Sequence, residues 1–175
     1  MMNRLFGTGL TAALLLPAVS VFAGEAFMGQ SPQVLCGYMV DLGIPGSKKY
    51  REQRGGSWAC GSTRKKLPQG EPAAASDLQY RVLGSETGAH KQILELRMGS
   101  YRQPQGVLKA FSDYVDKLLE KTLGCDLSED MYKAIMAPRD GEWQIDGHRA
   151  KLRKLHSMGA VYDLRFTLDY KSIRY

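Results

Sequence analysis

Hydrophobic and polar residues alternate most regularly near the end of the chain, where large apolar side chains occupy every second position. These positions are Tyr162, Leu164, Phe166, Leu168 and Tyr170. The positions between them are Asp163, Arg165, Thr167 and Asp169. Because successive side chains of a strand point to opposite sides, the pattern predicts a strand with one buried face and one face in water.

Two earlier segments share this alternation and predict an antiparallel hairpin. Their apolar positions are Leu78, Tyr80, Val82, Leu94, Leu96 and Met98. The intervening residues 84–90 include glycine, serine and threonine, which favour a turn. A further strand is expected over residues 57–63, and Asp146-Gly147 is a strong signal for a second hairpin between Ile145 and His148.

A period of three to four residues replaces the alternation between Pro104 and Leu123 and predicts a long amphipathic helix that Gly124 ends. A first, shorter helix is expected from the Ser31-Pro32 start to Gly43. Asp126 and Glu129 resemble a capping box for a short third helix, which Pro138 ends.

Together these elements predict a single α+β domain over residues 24–175. In it a long helix packs on an antiparallel sheet of about five strands, in the order α-β-β-β-α-(α)-β-β. At the level of element order alone, residues 31–170 resemble the fold of small dimeric secretion chaperones. The resemblance implies the same fold. A homodimer through the exposed side of the sheet is a separate expectation, which follows from a helix-on-sheet body that presents a surface to another protein. Those chaperones are acidic and cytosolic, whereas this chain carries a predicted export signal and a predicted disulfide, so their activity is not carried over.

The first residues have the pattern of a secretory signal peptide. Arg4 precedes an uncharged run rich in leucine and alanine, and Val21-Phe22-Ala23 fits a cleavage site. We predict that residues 1–23 are removed after Ala23 and that the mature chain is periplasmic. The alternative, an uncleaved anchor, needs about 20 unbroken apolar residues. Pro17 and Ser20 interrupt this run.

An exported chain meets an oxidising compartment, so its cysteines favour a disulfide. The chain has Cys36, Cys60 and Cys125. We predict a Cys36–Cys60 bridge, because it ties the first helix to the first strand across a loop rich in glycine, lysine and arginine. Cys125 is then left over, either as a small apolar side chain after a helix end or as a reactive or intermolecular thiol.

The chain offers no motif for catalysis, a cofactor or a metal. It lacks a nucleophile elbow, a phosphate-binding glycine loop and a zinc-protease helix. Its three histidines, His90, His148 and His156, have no metal-ligand spacing relative to the cysteines. We therefore assign no catalytic residue, no metal site and no cofactor.

One pattern stands out among the charged residues, in a chain whose formal net charge is +6. Arg149, Lys151 and Arg153 alternate along one predicted strand, and Arg165 lies on its neighbour. These cations predict a basic wet sheet face that docks an acidic protein partner. Alternatively, Asp163, Asp169 and Glu95 interleave with the cations as ordinary cross-strand ion pairs.

The preferred interpretation is an exported, non-enzymatic protein-interaction module, such as an immunity or inhibitor protein or an accessory factor of the envelope. Nucleic acid is disfavoured as a partner because aromatic residues do not interleave with the cations. The alternative is an enzyme or small-ligand protein with its site between the long helix and the sheet, using Tyr114, Trp143 or Tyr162.

Overall fold

The computed structural model describes residues 30–44, 49–67, 76–99, 104–158 and 161–170. These ranges contain three helices, which are α1 (Pro32–Cys36), α2 (Pro104–Leu123) and α3 (Glu129–Met136). The predicted signal peptide and its cleavage after Ala23 lie outside the described residues.

The strands form one antiparallel sheet. They are β1 (Arg51–Glu52), β2 (Trp58–Gly61), β3 (Lys65–Lys66), β4 (Asp77–Gly84), β5 (Ala89–Arg97), β6 (Gly141–Ile145), β7 (His148–Met158) and β8 (Val161–Tyr170). Their order across the sheet is β1-β2-β4-β5-β8-β7-β6, and β3 pairs with β4. The α+β class is confirmed.

The predicted number of about five strands is wrong, because the described residues form eight. Strands β1 and β3 contain only two residues each and are too short to show any alternation. In β6 the half-buried residues Gly141, Trp143 and Ile145 alternate with exposed ones, but none of its positions is fully buried. The three additional strands extend the sheet at β1 and β6 and add β3 beside β4.

The core lies between the helices and one face of this sheet. Alternate residues of β4, β5, β7 and β8 are buried there, including Leu78, Leu94, Leu152 and Phe166. From the helical side, α2 contributes the following buried residues: Val107, Leu108, Phe111, Val115, Leu118 and Leu119. The predicted amphipathic face of α2 is therefore confirmed, and so is its end at Gly124, which has a φ of +68°.

Helix α1 is shorter than the sequence predicts. Ser31 caps its start by accepting a hydrogen bond from the Val34 amide, but the helix ends at Cys36. Turns follow as far as Gly43, held by bonds such as Gly37 N to Val34 O and Val40 N to Gly37 O. Gly37 explains the early end, since glycine weakens a helix interior by roughly 1 kcal/mol relative to alanine.

The cap of α3 also differs from the prediction, in which Asp126 starts the helix. Ser128 is the cap, and its side chain accepts from the Met131 amide. The chain before it is held by Asp116, whose carboxylate accepts a 2.7 Å hydrogen bond from the Leu127 amide. Because that contact fixes residue 127 outside the helix, the first helical turn begins two residues later than the capping-box pattern indicates.

The second hairpin forms as predicted. Asp146 and Gly147 have φ angles of +45° and +78° and connect β6 to β7. Two successive left-handed residues are what a tight hairpin turn requires, and Asp-Gly supplies them at little strain. The turn sets the register that places Trp143 opposite Ala150 on the core side and Gln144 opposite Arg149 on the other.

Candidate functional site

The face of the sheet opposite the helices is open and densely charged. Strand β7 presents Arg149, Lys151 and Arg153 there, because Ala150 and Leu152 between them are fully buried on the helix side. We call these three residues the β7 strip. Their side chains are 40%, 25% and 41% exposed, so all three remain in contact with water.

The ion pairs of the β7 strip are long. All three cations lie near Glu142 of β6, at 3.9 Å from Arg149, 3.6 Å from Lys151 and 3.4 Å from Arg153. Arg149 also lies 3.6 Å from Asp169, and Arg153 lies 3.8 Å from Asp140. Charge-assisted hydrogen bonds are typically about 2.7–2.9 Å long. The cations of the β7 strip therefore form only long ion pairs, and their N–H groups can still donate hydrogen bonds to other acceptors.

Arg165 belongs to a different arrangement, centred on Glu95 of β5. Its Nε and Nη2 atoms donate to Glu95 Oε2 at 2.9 and 2.7 Å. Arg81 and Arg64 bind the same carboxylate at 3.1 and 3.2 Å. Glu95 is only 6% exposed, although it lies on the open face. We call these four residues the Glu95 cluster.

The two arrangements meet where Arg153 and Arg165 lie directly opposite each other on β7 and β8. Like charges in this position destabilise a sheet. Arg165 binds Glu95 on one side, whereas Arg153 contacts Glu142 and Asp140 on the other. Among the described residues, the ion-pair partners of the two arginines therefore lie on their outer sides, and the like charges of Arg153 and Arg165 adjoin across the β7–β8 boundary.

The alternative interpretation of these cations, ordinary cross-strand ion pairs, is thus confirmed in part. Glu95 pairs with Arg165 and Asp169 with Arg149, as expected for neighbours on adjacent strands. Arg165 forms short hydrogen bonds to the carboxylate of Glu95, whereas the cations of the β7 strip form only longer contacts with carboxylates. Whether the four cations bind a partner stays a prediction, but the structure separates Arg165 from the other three.

The sequence predicted Glu95 as a cross-strand partner of the cations, but not its burial or its contact with Arg64. Arg64 precedes the two-residue strand β3, and it reaches both Asp77 at 2.6 Å and Glu95 at 3.2 Å. Asp77 is itself only 4% exposed. The available signal was the alternation of Glu95 with Leu94 and Leu96, which marks an outward strand position but does not reveal that arginines from three other segments cover it.

The three aromatic residues of the alternative ligand site do not converge. Tyr162 is 8% exposed, and the ammonium of Lys154 lies 4.5 Å from the centre of its ring. The Tyr114 hydroxyl accepts from Lys65 Nζ at 2.6 Å and donates to Leu42 O at 3.3 Å. Trp143 is half-buried on β6 and covers Gly141.

A polar cluster does lie between α2 and the sheet. Tyr80 donates to Gln92 Oε1 at 2.8 Å and lies 3.0 Å from Leu35 O, and Thr122 contacts the same amide oxygen at 3.4 Å. Burial, and secondarily the neighbouring Tyr38, raises the pKa of Tyr80 well above its ordinary value, so the phenol stays a neutral donor. Gln92 is fully buried. The cluster fixes α1 and α2 against the sheet.

The predicted disulfide is present between Cys36 of α1 and Cys60 of β2, whose Cα atoms are 6.0 Å apart. Both residues are buried, at 2% and 5% exposure. Within the ranges that the structure covers, no three His, Cys, Asp or Glu side chains are grouped closely enough to hold a metal ion. No helix in those same ranges is long and apolar enough to cross a membrane.

Cys125 follows the end of α2 and is half-buried, with a free thiol. Burial raises its pKa, and the negative charges of Asp146, Asp126 and Asp116 raise it further. We expect the thiol to react with iodoacetamide more slowly at pH 8 than free cysteine does, since the thiolate is the nucleophile. The Cys125→Ser variant lacks this thiol and measures the background labelling. Faster labelling than free cysteine would show that Cys125 is an activated thiol.

Comparisons of the chain with protein-family models, with curated proteins and with solved structures found no match.

Proposed function

We propose that this chain is an exported protein-interaction module, without catalysis of its own, whose open sheet face binds an acidic surface of a protein partner. Immunity or inhibitor proteins and envelope accessory factors are the classes that this proposal covers. Export rests on the predicted signal peptide, and the Cys36–Cys60 disulfide is compatible with it.

The observation that carries the proposal is the loosely paired β7 strip. Three cations share Glu142 at 3.4–3.9 Å, and within the described ranges none forms a short hydrogen bond to a carboxylate. Carboxylates of a partner can replace such long contacts with shorter ones and gain charge-assisted hydrogen bonds. By contrast, the Glu95 carboxylate is already bound by three arginines, so the Glu95 cluster supports the surface rather than binding the partner.

The physical setting also favours a protein over a small ligand at the β7 strip. The strip lies on a sheet face rather than in a pocket, and alternate residues present the cations at intervals of about 7 Å along the strand. A flat row of cations fits a row of carboxylates on another folded surface. Such complementarity raises the association rate and makes binding sensitive to salt.

The test is a charge reversal with a matched control. The strip variant carries Arg149→Glu, Lys151→Glu and Arg153→Glu, and the control carries Lys109→Glu, Lys117→Glu and Lys133→Glu on α2 and α3. The side chains of the control lysines are 64%, 48% and 59% exposed, and each forms a surface ion pair. Both variants therefore change the net charge equally.

The partner is first captured from an envelope extract with the unaltered mature chain, identified by mass spectrometry and purified. We expect the strip variant to bind it at least about tenfold more weakly, and the control variant within about twofold of the unaltered chain. Equal affinity of the strip variant and the control would contradict the proposal. Arg165 is left unchanged because reversing it would disrupt Glu95.

A further inference from the structure

A second feature of the open face lies at its opposite end, where β1, β2 and β4 enclose a cavity of about 310 Å³. This volume is at the lower end of the range for small-molecule sites. Its lining residues are Lys49, Arg51, Gln53, Ser57, Ala59, Cys60, Gly61, Arg81 and Leu83. None of these residues is acidic, which distinguishes the cavity from the rest of the open face.

The floor of the cavity follows from the sequence of β2. Ala59 and Gly61 are the residues of this strand that face away from the helices, and they present only a methyl group and a hydrogen atom. In the sheet, Arg51 is paired with Ala59, Ala59 with Leu83, and Gly61 with Arg81. Long side chains thus stand on both sides of a strand of small ones, about 5 Å away on each side.

The cations that line the cavity are not fully paired with carboxylates. Among the described residues, neither Lys49 nor Arg51 forms an ion pair with a carboxylate. Arg81 uses Nη2 to bind Glu95 at 3.1 Å, but its Nε atom is buried and has no hydrogen-bond partner. A buried donor without an acceptor costs roughly 1–3 kcal/mol, so Arg81 is incompletely satisfied beside the cavity.

Contacts of Tyr50 fix the segment that carries Lys49 and Arg51. Tyr50, which lies between Lys49 and Arg51, donates its hydroxyl proton to the carbonyl oxygen of Ser85 at 2.8 Å. Its backbone amide donates to Gln33 Oε1 at 3.0 Å, and its ring packs 5.9 Å from that of Trp58. Because neighbours on an extended chain point to opposite sides, anchoring Tyr50 presents Lys49 and Arg51 to the cavity.

We propose that this cavity binds the oxyanion group of a small organic anion, a carboxylate or a phosphate. Arg51 and Lys49 supply the charge, Arg81 adds a cation on the opposite side of β2, and Ala59 and Leu83 contact the carbon part of the ligand. Guanidinium groups suit this task because their planar donors match two oxygens of one oxyanion. The site is independent of partner binding at the β7 strip.

Two probes, inorganic phosphate and citrate, distinguish the two oxyanions in NMR titrations of the mature chain at constant ionic strength. We expect saturable shifts at the amides of Ala59 and Gly61. Binding of phosphate alone assigns the site to phosphate groups, and binding of citrate alone assigns it to carboxylates. Binding of both supports a site for either oxyanion.

Variants show whether the probes bind in the cavity or are attracted to any basic surface of the protein. Arg51→Gln removes one exposed cation of the cavity and should weaken binding about tenfold, whereas Lys133→Gln removes one from α3 and should have no effect. Ala59→Leu fills the floor without changing charge and should also weaken binding. If Ala59→Leu does not fold, Arg51→Gln carries the test, because its side chain is exposed.

Three results would overturn the proposal. They are shifts that rise linearly without saturation for both probes, saturable shifts confined to other parts of the chain, and equal affinity of Arg51→Gln and the unaltered chain. Partner binding by the Arg51→Gln variant is measured in parallel. A failure of the oxyanion site is thereby distinguished from a failure of docking at the β7 strip.

Discussion

Replacing Glu95 with glutamine is expected to lower the free energy of unfolding by about 3 kcal/mol, since removing one partner of a buried ion pair typically costs about 3–5 kcal/mol. The lower end applies because Arg64, Arg81 and Arg165 are 28%, 34% and 37% exposed and water screens them in part. Glutamine keeps the shape of the side chain but leaves Arg81 and Arg165 without a carboxylate partner among the described residues, while Arg64 keeps only Asp77.

Urea unfolding of the variant and the unaltered chain measures this effect. Asp113→Asn is the control, because it breaks the ion pair of Asp113 with Lys109, in which both side chains are 64% exposed. Such a surface pair contributes only about 0–1 kcal/mol. If Glu95→Gln were no more destabilising than Asp113→Asn, the Glu95 cluster would not be holding the open face together.

The same carboxylate predicts how stability depends on pH. Burial raises the pKa of Glu95, but the hydrogen bond and charge of Arg165, followed by Arg81 and Arg64, outweigh burial and hold this pKa below its ordinary value. A carboxyl group with a lowered folded-state pKa stabilises the fold above its unfolded-state pKa, and the contribution is lost as the pH falls through the folded-state value. The Glu95→Gln variant should therefore lose less stability than the unaltered chain over this acidic window.

Reducing the Cys36–Cys60 disulfide is the second change with a large expected effect. The bridge spans 24 positions of sequence, and closing a loop of this size stabilises a fold by about 3 kcal/mol on the chain-entropy model. It is the covalent link between α1 and β2, the strand that forms the floor of the oxyanion cavity. We expect dithiothreitol to lower the urea midpoint clearly.

Two variants make this measurement specific. Cys125→Ser should respond to the reductant as the unaltered chain does, whereas the double variant Cys36→Ala, Cys60→Ala should start at the lower midpoint and not respond. A reduced sample with three titratable thiols and an unchanged midpoint would show that the bridge does not stabilise the fold.

Periodic segments with strong end signals were predictable from the sequence. The long helix from Pro104, its end at Gly124 and the buried alternation of β8 follow from local patterns that the tertiary structure reinforces. The short strands β1 and β3 were not predictable, since two residues have no period. Helix α1 was overestimated because apolar residues at helical spacing, such as Met39, are also buried when they lie in a series of turns.

For the candidate site, sequence reasoning found the β7 strip but could not separate it from Arg165. The distinction depends on which neighbouring strands supply carboxylates, and the order β5-β8-β7-β6 joins segments far apart in the chain. Similarly, the oxyanion cavity needs Arg51, Ala59 and Arg81 on three adjacent strands. The sequence indicated only a basic loop at Arg51, because it contains no signal for the pairing of a two-residue strand.

The most direct measurement of docking at the open face is site-specific photo-cross-linking to the captured partner. A photo-reactive residue is placed at position 167, which lies between Lys151 and Ile93 on the open face, or at position 113 on the exposed side of α2. Docking of an acidic partner on the β7 strip predicts a cross-link from position 167 that high salt abolishes, and none from position 113. A cross-link from position 113 alone would contradict it and assign the interface to the helices.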